Sequence, residues 1–215
     1  MNGTPEAASA ALGASSAAAG AQAADLDLVS RCRDGDLSAF EVLIERYQDR
    51  VYNLVLRMVG RHEDAADITQ EVFLRAIEHI GRFREKAQVF TWLFRIAVNL
   101  AISRRRRDQR VRFVSLAGGS AGGNESDEPQ PIELAGSRED RPDEAAERDE
   151  QNRRVAQAVS ELDEEFRAVL VLKDIEGLDY RQIADVLDLP LGTIKSRLHR
   201  ARNELRVRLR PIVSM

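Results

Sequence analysis

Cationic side chains at helical spacing are the residues of this chain best suited to a chemical task. Between positions 191 and 210 lie Lys195, Arg197, Arg200, Arg202, Arg206, Arg208 and Arg210 against the single acid Glu204. Between positions 103 and 113 lie Arg104, Arg105, Arg106, Arg107, Arg110 and Arg112 against Asp108. Guanidinium and ammonium groups at this density neutralise phosphates, and a guanidinium fork matches the acceptor pair of a guanine edge, so both patches point to nucleic acid. Covalent chemistry has no comparable support. The chain carries no glycine-rich phosphate loop, no paired-carboxylate motif and no nucleophile beside a plausible base, so an enzyme is not expected. His62, His79 and His199 are far apart, with no thiolate or carboxylate at ligand spacing, so neither a metal nor another cofactor is expected. Cys32 stands alone, which leaves no intramolecular disulfide and no CxxC site.

The formal net charge of −4 conceals the two basic patches. Residues 124–150 hold eleven acids against Arg138, Arg141 and Arg148, a local −8, so the remainder of the chain is +4. Hydrophobic residues make up 43% of the 215 positions, enough for one medium or two small cores. Aromatics are only 5% and charged residues 32%, a balance that favours helices over sheet, and the predicted fold is all-α. No Lys or Arg precedes Arg31, and no apolar run approaches the ~20 residues of a membrane span. A cytoplasmic protein that is not inserted in a membrane is therefore expected.

These patches need elements to position them. Residues 1–24 are almost wholly Ala, Gly and Ser, with no apolar stripe, and read as a disordered tail. From Asp25, Leu28, Val29, Phe40, Leu43, Ile44, Tyr47, Val51, Leu54, Val55 and Met58 recur at steps of three and four, which predicts a long amphipathic helical stretch closed by Gly60. Asp64 opens a second stretch, with Ile68, Val72, Phe73, Ala76, Ile77 and Ile80 as its stripe and Gly81 as its stop. After a loop at 83–89, a third helix runs from about Phe90 into the arginine cluster. Leu93, Ile96, Ala97 and Leu100 share one face of it, and Trp92, Arg95, Asn99, Ser103 and Arg106 the other. The glycines, prolines and acids of 114–148 read as a flexible linker, with helix regained near Pro142. The expected organisation is two small helical domains, 25–113 and 149–215.

In the second domain, Asp179 is placed to cap a short helix whose Ile183, Ala184 and Leu187 face inward. Pro190 and Gly192 then break the chain, and Thr193 is expected to cap a second helix. In that helix Ile194, Leu198, Ala201, Leu205 and Leu209 fall in a narrow arc at ~100° per residue. This is the pattern of a helix-turn-helix. Its outer side presents Ser196, His199, Arg200 and Asn203, flanked by Lys195, Arg197 and Arg206. Entry of the N-terminal half into a major groove gives Lys195, Ser196, His199 and Arg200 the base edges, and leaves Arg197, Arg202 and Arg206 the phosphates.

Two segments of the first domain, DAADITQEVFLRA at 64–76 and FTWLFRIAVNLA at 90–101, closely resemble the extracytoplasmic-function (ECF) group of bacterial sigma factors. Residues 161–205 resemble the second DNA-binding domain of the same family, and the matches follow the family's order across a variable linker. The resemblance implies core RNA polymerase and promoter DNA as partners, with no small-molecule substrate. It also implies an anti-sigma factor and a place in a stress response. By resemblance, Asp67, Gln70, Glu71 and Arg75 contact the polymerase clamp. The loop and the helix behind it correspond to the parts that engage and melt the −10 element. A base that leaves the duplex loses stacking and needs a pocket to replace it. Phe83, Arg84, Lys86, Gln88 and Phe90 could form that pocket. Trp92, Arg95 and Asn99 could hold the adjoining duplex, and Arg104, Arg105, Arg106 and Arg107 its phosphates. Phe90 and Phe94 are open to either assignment, base capture or core. The −35 element falls to the helix-turn-helix through Tyr180, Arg181, Thr193, Lys195, Ser196, Arg197, His199, Arg200 and Arg202. The acidic linker is open to two readings, an electrostatic stand-in for RNA in a basic channel or a plain spacer. An ordinary operator-binding regulator is the main rival reading. It leaves the 64–76 motif, and the Trp92 helix running into four arginines, without a role.

Overall fold

The computed structural model describes residues 6–85, 87–117 and 142–213. Among them the regular structure is helical: α1 (Glu6–Arg33), α2 (Leu37–Val59), α3 (His62–His79), a 3-10 turn (Ile80–Arg82), α4 (Val89–Ala117), α5 (Pro142–Ser160), α6 (Glu164–Leu170) running into a π turn (Val171–Ile175), α7 (Tyr180–Leu187) and α8 (Leu191–Val213). No helix among the described residues is long and apolar enough to cross a membrane. Lys86 and most of the acidic linker, 118–141, lie outside the described residues.

Local chemistry corrects three sequence expectations. Helix α1 begins at Glu6, inside the stretch read as a tail, as alanine's helix propensity allows. Asp25, Leu28 and Val29 are buried against the first core, and the Gln22 amide donates to the Ala87 carbonyl at 3.3 Å. The long stretch from Asp25 to Gly60 is two helices rather than one. Gly35 takes the left-handed conformation at φ 90°, and the Asp36 carboxylate caps α2 by accepting from the Ser38 and Ala39 amides at 3.0 and 3.3 Å. With the Ser38 hydroxyl and Arg31 also donating to it, that carboxyl is held down at about 2. Finally, α8 starts at Leu191, so Thr193 lies inside it rather than capping it. The Pro190 carbonyl accepts from the Ile194 amide at 3.1 Å, and Gly192 sits within the first turn.

Gly60 does end α2, at φ 80° and ψ 4°, with its N–H on the Leu56 carbonyl at 2.8 Å. A Cβ there would meet nothing within 4 Å, so the only cost of one is conformational. Gly60→Ala is expected to lower stability by roughly 1 kcal/mol in a urea titration; an unchanged midpoint would show that the turn relaxes freely.

The first core joins α1, α2, α3 and α4 around Val51, Leu54, Val55, Met58, Val72, Phe94, Ala97, Val98 and Ala101, all fully buried. Asp25 is buried with them, accepting from the Tyr47 hydroxyl and paired with Arg46, and that burial pushes the tyrosine's pKa up. Helices α5 to α8 pack through Leu162, Val169, Leu172, Ile183, Val186, Ile194, Leu198 and Ala201, which form one continuous apolar cluster with the residues of α1 to α4. In α7 the buried pair is Ile183 and Val186, with Ala184 and Leu187 only half-buried.

Candidate polymerase and nucleic-acid interfaces

Helix α3 is positioned by Ile68, Val72, Phe73 and Ala76, which face the core and turn the remaining residues outward. Asp67, Gln70 and Arg75 are exposed and Glu71 is half-exposed, with the Arg75 guanidinium 2.7 Å from the Glu71 carboxylate one turn away. Leu74 stands among them at 60% exposure. Its place off the buried stripe was readable in the sequence, and a large apolar side chain in a polar face marks a surface built for contact.

The second constellation surrounds the start of α4. Phe83 is buried, its ring 5.2 Å from that of Trp92, so the phenyl group supports the indole rather than standing free to receive a base. Trp92 itself is half-exposed. Phe90 and Phe94 meet edge to face at 5.9 Å, Phe94 fully buried and Phe90 half-buried. The Arg50 guanidinium of α2 lies over both rings, 5.5 and 5.4 Å from their centroids. Arg84 and Asn99 are exposed. Gln88 accepts from the Gln182 amide at 2.7 Å, and Arg95 lies 3.4 Å from the Asp188 carboxylate.

The arginine cluster divides by partner. Arg104 pairs with Asp64, a carboxylate only 4% exposed that Arg61 also approaches at 3.6 Å. Arg105 donates to the Met58 carbonyl at 3.1 Å. Arg106 reaches Glu164 at 3.4 Å. Arg107 is exposed, with no carboxylate partner among the described residues. Sequence spacing treats the four alike; the neighbouring helices do not.

The third constellation is the helix-turn-helix. A capping box starts α7: the Asp179 carboxylate accepts from the Arg181 and Gln182 amides at 2.7 and 2.9 Å, and the Gln182 side chain accepts from the Asp179 amide at 2.8 Å. Asp188, at φ 54°, ends the helix and turns the chain toward α8. Two ammonium groups lie over the Tyr180 ring, Lys173 at 5.2 Å and Lys195 at 5.9 Å from its centroid. Arg181, Lys195, Ser196, His199 and Arg200 are exposed, and Thr193 is half-buried. Arg197 pairs with Glu165 at 2.5 Å, and Arg202 holds Asp174 through two nitrogens at 3.0 and 2.5 Å, which raises the guanidinium's pKa. Of the cations placed on this surface, Arg181, Lys195 and Arg200 have no carboxylate partner among the described residues.

Two helical units carry these three surfaces, and the order of the units identifies the class of protein, a transcription-initiation factor, once the family matches are set beside it. Residues 43–111 match the sigma-70 region 2 family and residues 152–205 the sigma-70 region 4 family. The chain belongs to the sigma-70 family, among its ECF RNA polymerase sigma factors. Its general role is promoter-directed transcription initiation, and its relatives are regulators of transcription rather than enzymes. It is 35% identical over 200 residues to the RNA polymerase sigma-H factor of Pseudomonas aeruginosa, covering 89% of this chain and 97% of that one. It is 33% identical to the ECF sigma-E factor of Haemophilus influenzae, covering 89% and 98%. It is 34% identical to the sigma factor SigW of Bacillus subtilis, covering 86% and 96%. The fold is like that of CnrH in its complex with the cytosolic domain of CnrY, with a TM-score of 0.61, 24% identity and coverage of 87% and 98%. It is also like that of the sigma factor RpoE from Bartonella quintana in complex with the anti-sigma factor NepR, with a TM-score of 0.60, 23% identity and coverage of 80% and 96%.

Proposed function

We propose that this chain binds core RNA polymerase through the α3 face of Asp67, Gln70, Glu71, Leu74 and Arg75, reads a −35 element with α7 and α8, and reads and opens a −10 element with α4 and the loop before it. The observation that carries this reading is the separation of the surfaces. A polar face with one exposed leucine lies on α3, and exposed Arg181, Lys195 and Arg200 cluster on the helix-turn-helix of the other domain. A free-standing operator reader has no use for the first of these. Two linked modules that engage polymerase and DNA together gain effective concentration from each other, so the helix-turn-helix contact can be small. At the −10 surface, Trp92 supplies a stacking plane braced by Phe83, while Arg84, Asn99 and Arg107 face outward. The protein performs no covalent step; its work is contact and the replacement of lost base stacking. It acts in the cytoplasm, where polymerase and promoter are, and an anti-sigma partner holds it inactive by covering these surfaces.

Purified chain added to core polymerase with a promoter library is expected to give promoter-specific initiation, and an operator-binding regulator would give none. Arg200→Ala is expected to weaken binding at the −35 element by roughly 1 to 3 kcal/mol if the guanidinium spans one guanine. That loss falls on sequences bearing the guanine. An equal loss on all sequences would reassign Arg200 to a phosphate.

A further inference from the structure

We infer that Arg33 of α1 is a positioning residue for promoter melting: its guanidinium fixes the main chain of the loop before α4 and, through Phe83, the plane of Trp92 on which a −10 base stacks. This rests on the assignment of that loop and α4 to the −10 element.

All three guanidinium nitrogens of Arg33 reach the segment 80–85. Nε donates to the Ile80 carbonyl at 3.3 Å, one terminal nitrogen to the Phe83 carbonyl at 2.5 Å, and the other to the Glu85 carboxylate at 3.1 Å. A planar fork holds several acceptors at fixed angles, which an ammonium cannot do. About three turns earlier on the same helix, the Gln22 amide donates to the Ala87 carbonyl at 3.3 Å. Helix α1 therefore grips the loop at both ends. Between these grips the loop has turn bonds of its own, from the Phe83 amide to the Ile80 carbonyl at 3.2 Å and from the Ala87 amide to the Arg84 carbonyl at 3.0 Å. Gln22 and Arg33 both precede the region 2 match at 43–111, so the grip comes from outside the segment that defines the family.

The grip reaches the stacking plane through one residue. Arg33 holds the Phe83 carbonyl, and the Phe83 ring, 4% exposed, lies 5.2 Å from that of Trp92 at an interplanar angle of 58°. Helix α4 fixes where the Trp92 side chain begins, but its half-exposed indole needs a neighbour to select one rotamer, and Phe83 is that neighbour. A loop that orders itself only as it captures a base loses affinity to that ordering; a loop held beforehand does not. Electrostatics point the same way. Glu85 is the one acid of the loop, and its carboxylate would repel phosphates. The pair with Arg33 offsets that charge. Arg33 itself is largely covered, its side chain 28% exposed, so it serves the loop rather than the DNA.

The test uses the full chain, in which Trp92 is the sole tryptophan. In the free protein, Arg33→Ala is expected to raise acrylamide quenching of Trp92 fluorescence about twofold, as the indole loses its brace. In holoenzyme assembled on core polymerase, the same variant is expected to bind a fluorescein-labelled single-stranded −10 oligonucleotide, its sequence taken from the promoter library, about tenfold more weakly. Affinity for core polymerase, and for a duplex bearing the −35 element alone, should change less than about twofold. Arg33→Lys keeps the charge and one hydrogen bond and should lose only about threefold, as should Gln22→Ala, which frees the far end of the loop. Unchanged quenching or unchanged oligonucleotide binding in Arg33→Ala overturns the inference. So does a loss shared equally with core polymerase, which would make Arg33 a residue of the fold alone. If wild-type holoenzyme binds the −10 oligonucleotide no better than a scrambled one, the assignment of function fails instead, and the quenching comparison still decides whether Arg33 sets Trp92.

Discussion

Arg167→Ala is expected to reduce the free energy of unfolding by about 3 to 5 kcal/mol, the largest loss for any single substitution outside the apolar cores. The guanidinium is fully buried and has no carboxylate partner among the described residues; its acceptors there are four main-chain carbonyls, of Met58, Val159, Ser160 and Leu162. Alanine withdraws one donor from each, the Met58 and Val159 carbonyls keeping the Arg105 guanidinium and the Leu162 amide, and leaves a void the length of the side chain. Arg167→Met refills most of the volume but none of the hydrogen bonds, so it should recover only a minor part of the loss. Arg167→Lys should fall between the wild type and Met, because an ammonium cannot reproduce the planar fork. Urea titrations followed by circular dichroism check the order. If Met matched the wild type, the side chain would be acting as packing alone.

Arg104→Ala should cost about 3 kcal/mol of stability, whereas Arg107→Ala should cost less than ~0.5 kcal/mol. The difference lies in what each leaves behind. Without Arg104, the nearly buried Asp64 carboxylate keeps, among the described residues, Arg61 at 3.6 Å. Without Arg107, no carboxylate among the described residues loses a partner. The functional effects run the other way. Arg107→Ala should reduce the slope of log affinity against log salt for promoter DNA by about one, the signature of one lost phosphate contact. Arg104→Ala should leave that slope unchanged once measured below its unfolding transition. Equal slopes for the two variants would show that Arg104 exchanges Asp64 for phosphate on binding.

The order in which these positions became legible follows from the range of the forces involved. The helices announced themselves through apolar residues at steps of three and four, since one face of each must leave water. The Asp179 cap and the Gly60 stop were equally local. The break between α1 and α2 was local too: an Asp-Gly-Asp run at 34–36 carries both a left-handed glycine and an N-cap, and continuous periodicity on either side masked it. Thr193 lies inside α8 rather than capping it because Pro190 already supplies the carbonyl for the first turn of that helix.

Charge by itself could not say which cations are free. Arg104 and Arg107 are neighbours in sequence with the same side chain, and only the approach of α3 gives one of them a buried carboxylate. Arg197 and Arg202 likewise find Glu165 and Asp174 on other elements. Arg167 left a signal, a lone charge inside the apolar run 166–172, but nothing local shows that its acceptors are carbonyls of two domains. Patterning determined the helices, the two basic patches and the family resemblance, because these depend on residues within a few turns of one another. Tertiary structure alone decided which arginines face solvent, that Phe83 braces Trp92, and that α7 lies against α4. Those outcomes depend on which side chains meet across long stretches of chain, where desolvation and pairing outweigh local preference.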